Sequence, residues 1–149
     1  MNTPRVKLMK SNWKDETTIV LDACALIAFL NDEPGADMVA AMLEDNLSVE
    51  MSAINVLEIA YDAIRSTGST EAATDILNAI NQLPIIIHWH MNEDVFRHAA
   101  IYKSSHRISP ADAIALAFAK SLNAPVATSD HHEFDLLDSK GLARFIWIR

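Results

Sequence analysis

The chain has a single cysteine, Cys24, which excludes an internal disulfide framework and agrees with a reducing cytoplasm. No apolar run reaches the roughly 18–20 residues that a membrane-spanning helix needs. The first residues, MNTPRVKLMKSNWKDE, carry positive charge but no apolar core and no small-residue cleavage site, so no signal peptide is expected. Basic residues are missing from a long block: residues 15–64 hold eleven Asp or Glu and no Lys or Arg, whereas the remainder holds nine acids and twelve bases. The net charge of −8 therefore comes from that one block. Such a balance argues against general nucleic-acid binding, whose affinity comes from neutralising phosphates. It leaves room for a local basic surface, or for a basic partner protein. For Asp32, Glu33, Asp37, Glu44 and Asp45 a solvated face is the simplest reading.

Half of the 149 residues are hydrophobic, which fits one globular domain able to bury a core. Residues 1–16 are polar and read as a flexible or loosely docked extension, followed by a single domain over 17–149. There is no internal repeat. Thr18–Asp22 predicts a strand and Cys24–Leu30 a short helix. Asp32-Glu33-Pro34-Gly35 signals a second helix start. A short strand over Ser48–Met51 precedes helices over Ser52–Arg65 and Ser69–Leu83. Pro84–His88 predicts a strand, and Asn92–His106 and Ser109–Ser121 predict helices. Pro125–Thr128 predicts a strand, Glu133–Lys140 an irregular segment or short helix, and Phe145–Ile148 a closing strand. Alternating strands and helices predict an α/β domain with a mainly parallel sheet. Ligands bind such sheets beyond the carboxyl ends of the strands, where Asp22 and Asp130 are both expected.

Three stretches are apolar except for isolated carboxylates. Asp22 is the only charge in IVLDACALIAFL, Glu58 the only one in AINVLEIAY, and Asp112 the only one in ADAIALAFA. A buried, unpaired carboxylate costs several kcal/mol or more, so it protonates, pairs or binds a metal. Each Asp has a bland alternative. Asp22 can cap the following helix, Asp112 suits a helix first turn, and Asp130 with Glu133 resembles a capping box. Glu58 resists this treatment, because it stands in mid-helix on a narrow polar stripe with Asn55 and Asp62. Taken together the acids favour a shared hard dication, Mg²⁺ or Mn²⁺, and metal-assisted hydrolysis of a phosphate ester.

The segments IVLDACALIAFLNDEPGA (19–36), MSAINVLEIA (51–60), ISPADAIALAFAKSLNAPVATSD (108–130) and HHEF (131–134) resemble, in order, those of PIN-domain ribonucleases. The similarity is greatest to the VapC-type toxins of bacterial toxin–antitoxin pairs. The resemblance implies a PIN-like three-layer α/β/α domain with a central, mainly parallel five-stranded sheet. It also implies Mg²⁺- or Mn²⁺-dependent hydrolysis of RNA phosphodiester bonds, leaving 5′-phosphate and 3′-hydroxyl ends. Asp22, Glu58, Asp112 and Asp130 become the catalytic, metal-binding acids, and Glu133 a fifth acid outside the direct ligand set. A small VapB-like antitoxin and a homodimer are further implied. One departure is Cys24, where VapC-like chains often carry Ser or Thr; a thiol is the weaker hydrogen-bond partner.

Asn55 is a candidate to orient Glu58, and Thr128, Ser129 and Cys24 are candidates to touch substrate or the acids. Arg97, Lys103 and Arg107 are the expected RNA phosphate contacts. His88 and His90 form an H-x-H on one sheet face, too few ligands for zinc. His131 and His132 read as loop residues beside Asp130. Trp89, Phe145 and Trp147 read as core or dimer contacts in preference to base-stacking platforms. Two rival functions remain: a non-catalytic PIN-like binding module, and a metal phosphohydrolase on another Rossmann-like fold. The latter expects a D-x-D nucleophile segment, whereas Asp22 is followed by Ala23-Cys24.

Overall fold

Strand β1 (Thr18–Leu21) lies at the centre of the sheet and is apolar on both faces, as a strand covered on both sides must be. The computed structural model describes residues 13–149. The chain continues through α1 (Ala23–Leu30), α2 (Ala36–Glu44), β2 (Ser48–Ser52), α3 (Ala53–Thr67), α4 (Glu71–Asn81) and β3 (Ile85–His88). It then forms α5 (Glu93–Ser105), α6 (Pro110–Ser121), β4 (Val126–Thr128), α7 (His131–Ser139) and β5 (Phe145–Trp147). The strand order is β3-β2-β1-β4-β5, and all four pairings are parallel. The expected α/β class and five-stranded PIN-like sheet are thus observed, with the sheet parallel throughout.

Alternation along β1 divides the core. Ile19 and Leu21 face one layer with Leu26, Val39, Met42, Val56, Ile59 and Ile80. Val20 faces the other with Val95, Leu116, Phe134 and Leu137. Helices α1–α4 therefore cover one side and α5–α7 the other. Helix α6 is alanine-rich, which lets it lie close on the sheet and on α5, and most of its residues are buried.

Two expectations about local structure change. Pro34 does not open a helix, because α2 begins only at Ala36, with Gly35 as its N-cap at φ 99°, a left-handed conformation. The Glu33 N–H instead bonds the Ala28 carbonyl, which closes off α1. Of the two forms expected over Glu133–Lys140, the short helix is the one that forms, as α7, but it starts earlier, at His131, capped when Asp130 Oδ1 accepts the Glu133 N–H at 3.1 Å. Of the expected N-terminal extension, residues 1–12 lie outside the described residues, while Trp13 is buried in the α1–α4 core and Glu16 pairs with Arg144. Among the described residues, no helix is long and apolar enough to cross a membrane.

Candidate active site

Strand β1 leads on to β2 on one side of the sheet, and β4 and β5 lie on its other side, so the strand order reverses at the β1/β4 boundary. A crevice forms beyond the carboxyl ends of the strands at such a reversal. Asp22 directly follows β1, and Asp130 follows β4 after one residue. Helix α3 brings in Glu58 and the first turn of α6 brings in Asp112. These four carboxylates line one cleft of about 230 Å³, together with Cys24, Ile27, Tyr61, Asp62 and Arg65.

Asp22 is almost wholly buried. Its Oδ1 accepts the Ala25 N–H at 2.9 Å, so it does cap α1. Its Oδ2 also accepts from the Thr128 hydroxyl, which in turn accepts the Asp130 N–H at 3.0 Å. Burial raises the Asp22 pKa to about 7, the nearby Asp112 and Asp130 add to the rise, and the bonds from Thr128 and Ala25 oppose it. Asp112 is likewise raised to about 7, first by burial and then by Glu58, Asp130 and Glu133, against the Ser109 hydroxyl. Glu58 is raised by burial and by Asp130. The capping role and the shared site are therefore compatible for Asp22: one oxygen serves the helix and the carboxylate still faces its acidic neighbours.

Asn55 is fully buried beside Glu58. Its Nδ2 lies 3.5 Å from both Glu58 Oε2 and the Ala111 carbonyl, and its Oδ1 has no partner among the described residues. Glu133 Oε2 is also buried without a partner among the described residues. Asp62, the third member of the expected polar stripe, turns to Arg65 at 3.0 Å. Cys24 reaches the cleft, but burial and then the surrounding carboxylates push its thiol up to about 12, which removes it as a nucleophile. Ser129 is half-buried in the β4–α7 turn, where its carbonyl accepts the His131 N–H.

The basic residues expected to meet RNA are not those that line the cleft. Arg97 is exposed on α5 and pairs with Asp94, Lys103 is exposed farther along that helix, and Arg107 lies exposed beyond its end. The cation in the cleft lining is Arg65, over the Tyr61 ring at 5.2 Å. It was missed because it lies past the apolar stretch of α3; its spacing of seven residues from Glu58 and four from Tyr61 is the signal that finds it. Trp89, expected in a core or dimer contact, is not in the core: it stands 60 % exposed in the β3–α5 connection. His131 and His132 belong to helix α7, not to a loop, and His131 stacks on Trp147 with ring centroids 3.9 Å apart.

A model of the PIN domain family matches residues 19–140. The chain belongs to the PIN domain family. No curated protein matches its sequence. Among solved structures, VapBC-1 from nontypeable Haemophilus influenzae is similar at 20 % identity and TM-score 0.66, over 88 % of this chain and 98 % of that one. DNA-bound VapBC from Salmonella typhimurium is similar at 15 % identity and TM-score 0.65, over 90 % and 100 %. FitAcB from Neisseria gonorrhoeae is similar at 24 % identity and TM-score 0.59, over 86 % and 96 %. For this PIN domain, such low identities establish a common fold.

The donor set of this PIN domain suits a hard dication. It consists of four carboxylates whose charges help to raise the pKa values of Asp22, Asp112 and Glu58, and two residues that flank the set, Asn55 and Glu133, each hold a buried oxygen without a partner among the described residues. Among the described residues no three His, Cys, Asp or Glu side chains already close on one point. Carboxylates spaced around a cleft accord with Mg²⁺, which keeps several waters and needs only one or two direct carboxylates.

Proposed function

We propose that this PIN domain is a metal-dependent endoribonuclease of the VapC toxin type. It hydrolyses RNA phosphodiester bonds and is held inactive by a cognate antitoxin. The observation that carries this reading is the convergence of Asp22, Glu58, Asp112 and Asp130 from four separate segments on one cleft. Four carboxylates there repel one another, and the raised pKa values of Asp22, Glu58 and Asp112 express burial first and that repulsion second. Asp22, Asp112, Glu58 and Asp130 would hold Mg²⁺ or Mn²⁺, with Glu133 close behind. When bound, a hard dication supplies Lewis acidity that makes water a better nucleophile and offsets charge on the phosphate.

The chain's own groups do the rest. Thr128 and the Ala25 N–H hold Asp22 in one orientation. Asn55 stands between Glu58 and the first turn of α6 and keeps the two helices in register. A cleft carboxylate that the dication does not engage can take up the proton that the attacking water loses. No side chain is required as a nucleophile, in accord with the high pKa of Cys24.

An antitoxin partner is supported by the similar solved toxin–antitoxin complexes, and by Leu57 and Tyr61, which α3 exposes beside the acidic cleft. A homodimer is supported by Phe96 and Ile101, exposed on α5. The site of action is the cytoplasm. The test is cleavage of RNA with Mg²⁺ or Mn²⁺, beside EDTA and the Asp22→Asn and Asp112→Asn variants. Metal-dependent cleavage lost in both variants is the expected result; cleavage that survives both overturns the shared-metal site.

A further inference from the structure

We propose that a recess beside the acidic cleft, walled by Trp89, binds an unpaired RNA base next to the scissile phosphate. The inference rests on the ribonuclease reading and adds a site for the substrate's base. The recess encloses about 110 Å³ beyond the carboxyl ends of β2 and β3, between Ile54 of α3, His88, Trp89 and Ile114 and Phe118 of α6. The acidic cleft can hold phosphate, but Tyr61 is the one aromatic in its lining. Any recognition of the base has to come from beside it.

Three observations give the recess that role. First, the 60 % exposure of Trp89 leaves a large π-face free in the β3–α5 connection, and such faces take unstacked bases. Second, one of the polar groups in the wall, His88, is held in place. His88 Nε2 lies 2.6 Å from Glu50 Oε1, and its ring packs on Phe118 with centroids 4.6 Å apart. Glu50 is nearly buried and also accepts from the Ser48 hydroxyl at 3.2 Å. With Nε2 donating to that carboxylate, Nδ1 is the ring's remaining nitrogen and an acceptor for an N–H on a base edge. Third, the recess adjoins the acids. Ile54 and Glu58 lie four residues apart on the same face of α3, a rise of about 6 Å. That step is comparable to one nucleotide of a single strand.

The experiment measures binding of fluorescein-labelled oligoadenylate and oligouridylate to the full chain carrying Asp112→Asn, with Mg²⁺. Each RNA is compared with a copy lacking the base next to the mapped cleavage position. Trp89→Ala is expected to weaken binding of the intact RNA roughly ten- to hundredfold. Trp89→Phe is expected to restore most of it, and Trp89→Ala to bind intact and abasic RNA alike. Unchanged affinity in Trp89→Ala, or equal losses on intact and abasic RNA, overturns the inference while cleavage by the wild-type chain leaves the ribonuclease reading standing. A wild-type dimer that Trp89→Ala dissociates in sedimentation also overturns it, since the recess is then a contact between copies. Absence of RNA cleavage by the wild-type chain overturns both readings.

Discussion

The Thr128 hydroxyl donates to the buried Asp22 carboxylate and at the same time accepts the backbone N–H of Asp130. One side chain on β4 thus holds the carboxylate that follows β1 and the turn that presents its own neighbour. Thr128→Val keeps the shape and removes both bonds. Asp22 loses one of the two groups that lower its pKa, so its proton affinity rises further from the ordinary value of 3.8. Stability is expected to fall by about 1–3 kcal/mol, the cost of leaving a buried polar group unpartnered. Carboxyl-carbon NMR titration measures the first effect and urea denaturation the second. Thr128→Ser, which retains the hydroxyl, is expected to restore the Asp22 titration.

Asp22 and Asp112 keep their protons up to about pH 7 in the folded chain, against an ordinary value of 3.8. Between those values the folded chain binds more protons than the unfolded one, so metal-free stability must fall as pH rises. Their contribution is whole below the ordinary value and is lost as pH passes through about 7. Asp22→Asn removes one such group. Relative to wild type, the variant is expected to gain of order 1–3 kcal/mol between about pH 5 and about pH 8 in EDTA. A constant difference between the two chains across that window contradicts the burial of Asp22 as a costly charge. Added Mg²⁺ should stabilise wild type most at the alkaline end, where the ligands are ionised.

Gly35 carries a constraint of a different kind. At φ 99° it adopts a conformation that side chains disfavour, and a Cβ there would lie 2.8 Å from the Ile148 carbonyl oxygen and 2.9 Å from two Ile148 side-chain carbons. Gly35→Ala is expected to cost about 1–3 kcal/mol, read as a lowered thermal midpoint. Gly68→Ala, at φ 71° with nothing within 4 Å of the added carbon, should cost less. Equal effects of the two would mean that the Ile148 contact contributes nothing.

Much of the fold could be read from short-range chemistry. The β-branched run before Asp22 produces β1, Ser109-Pro110 caps and opens α6, and Asn92 caps α5 by accepting the Val95 N–H. Asp130 with Glu133 was legible as a cap, and it makes that bond while its carboxylate also lines the cleft. Harder to read were features that depend on what a helix packs against. The α2 start moves past Pro34 because β5 and the chain after it press on Gly35 through Ile148, a contact more than a hundred residues away. Trp89 looks like core by residue type alone; it stands exposed in the β3–α5 connection. Arg97, Lys103 and Arg107 form a cationic group in sequence, yet α5 lies on the far side of α6 from α3, whose last turn carries the cleft's own cation.

That cation, Arg65, yields the last prediction. It pairs with Asp62 at 3.0 Å and lies over the Tyr61 ring at 5.2 Å, so its guanidinium stands at the rim of a cleft whose other charged lining residues are all acids. RNA entering that cleft meets four carboxylates, and a phosphate next to the reacting one needs a positive partner. Arg65→Ala is expected to weaken RNA binding and to reduce the salt dependence of affinity by roughly one unit of slope. Stability should change by less than about 1 kcal/mol, because the Asp62 pair is exposed and screened. Arg97→Ala, whose side chain pairs with Asp94 on α5, should leave the slope unchanged. The opposite ranking of the two variants would move the RNA path from the α3 rim of the cleft to α5.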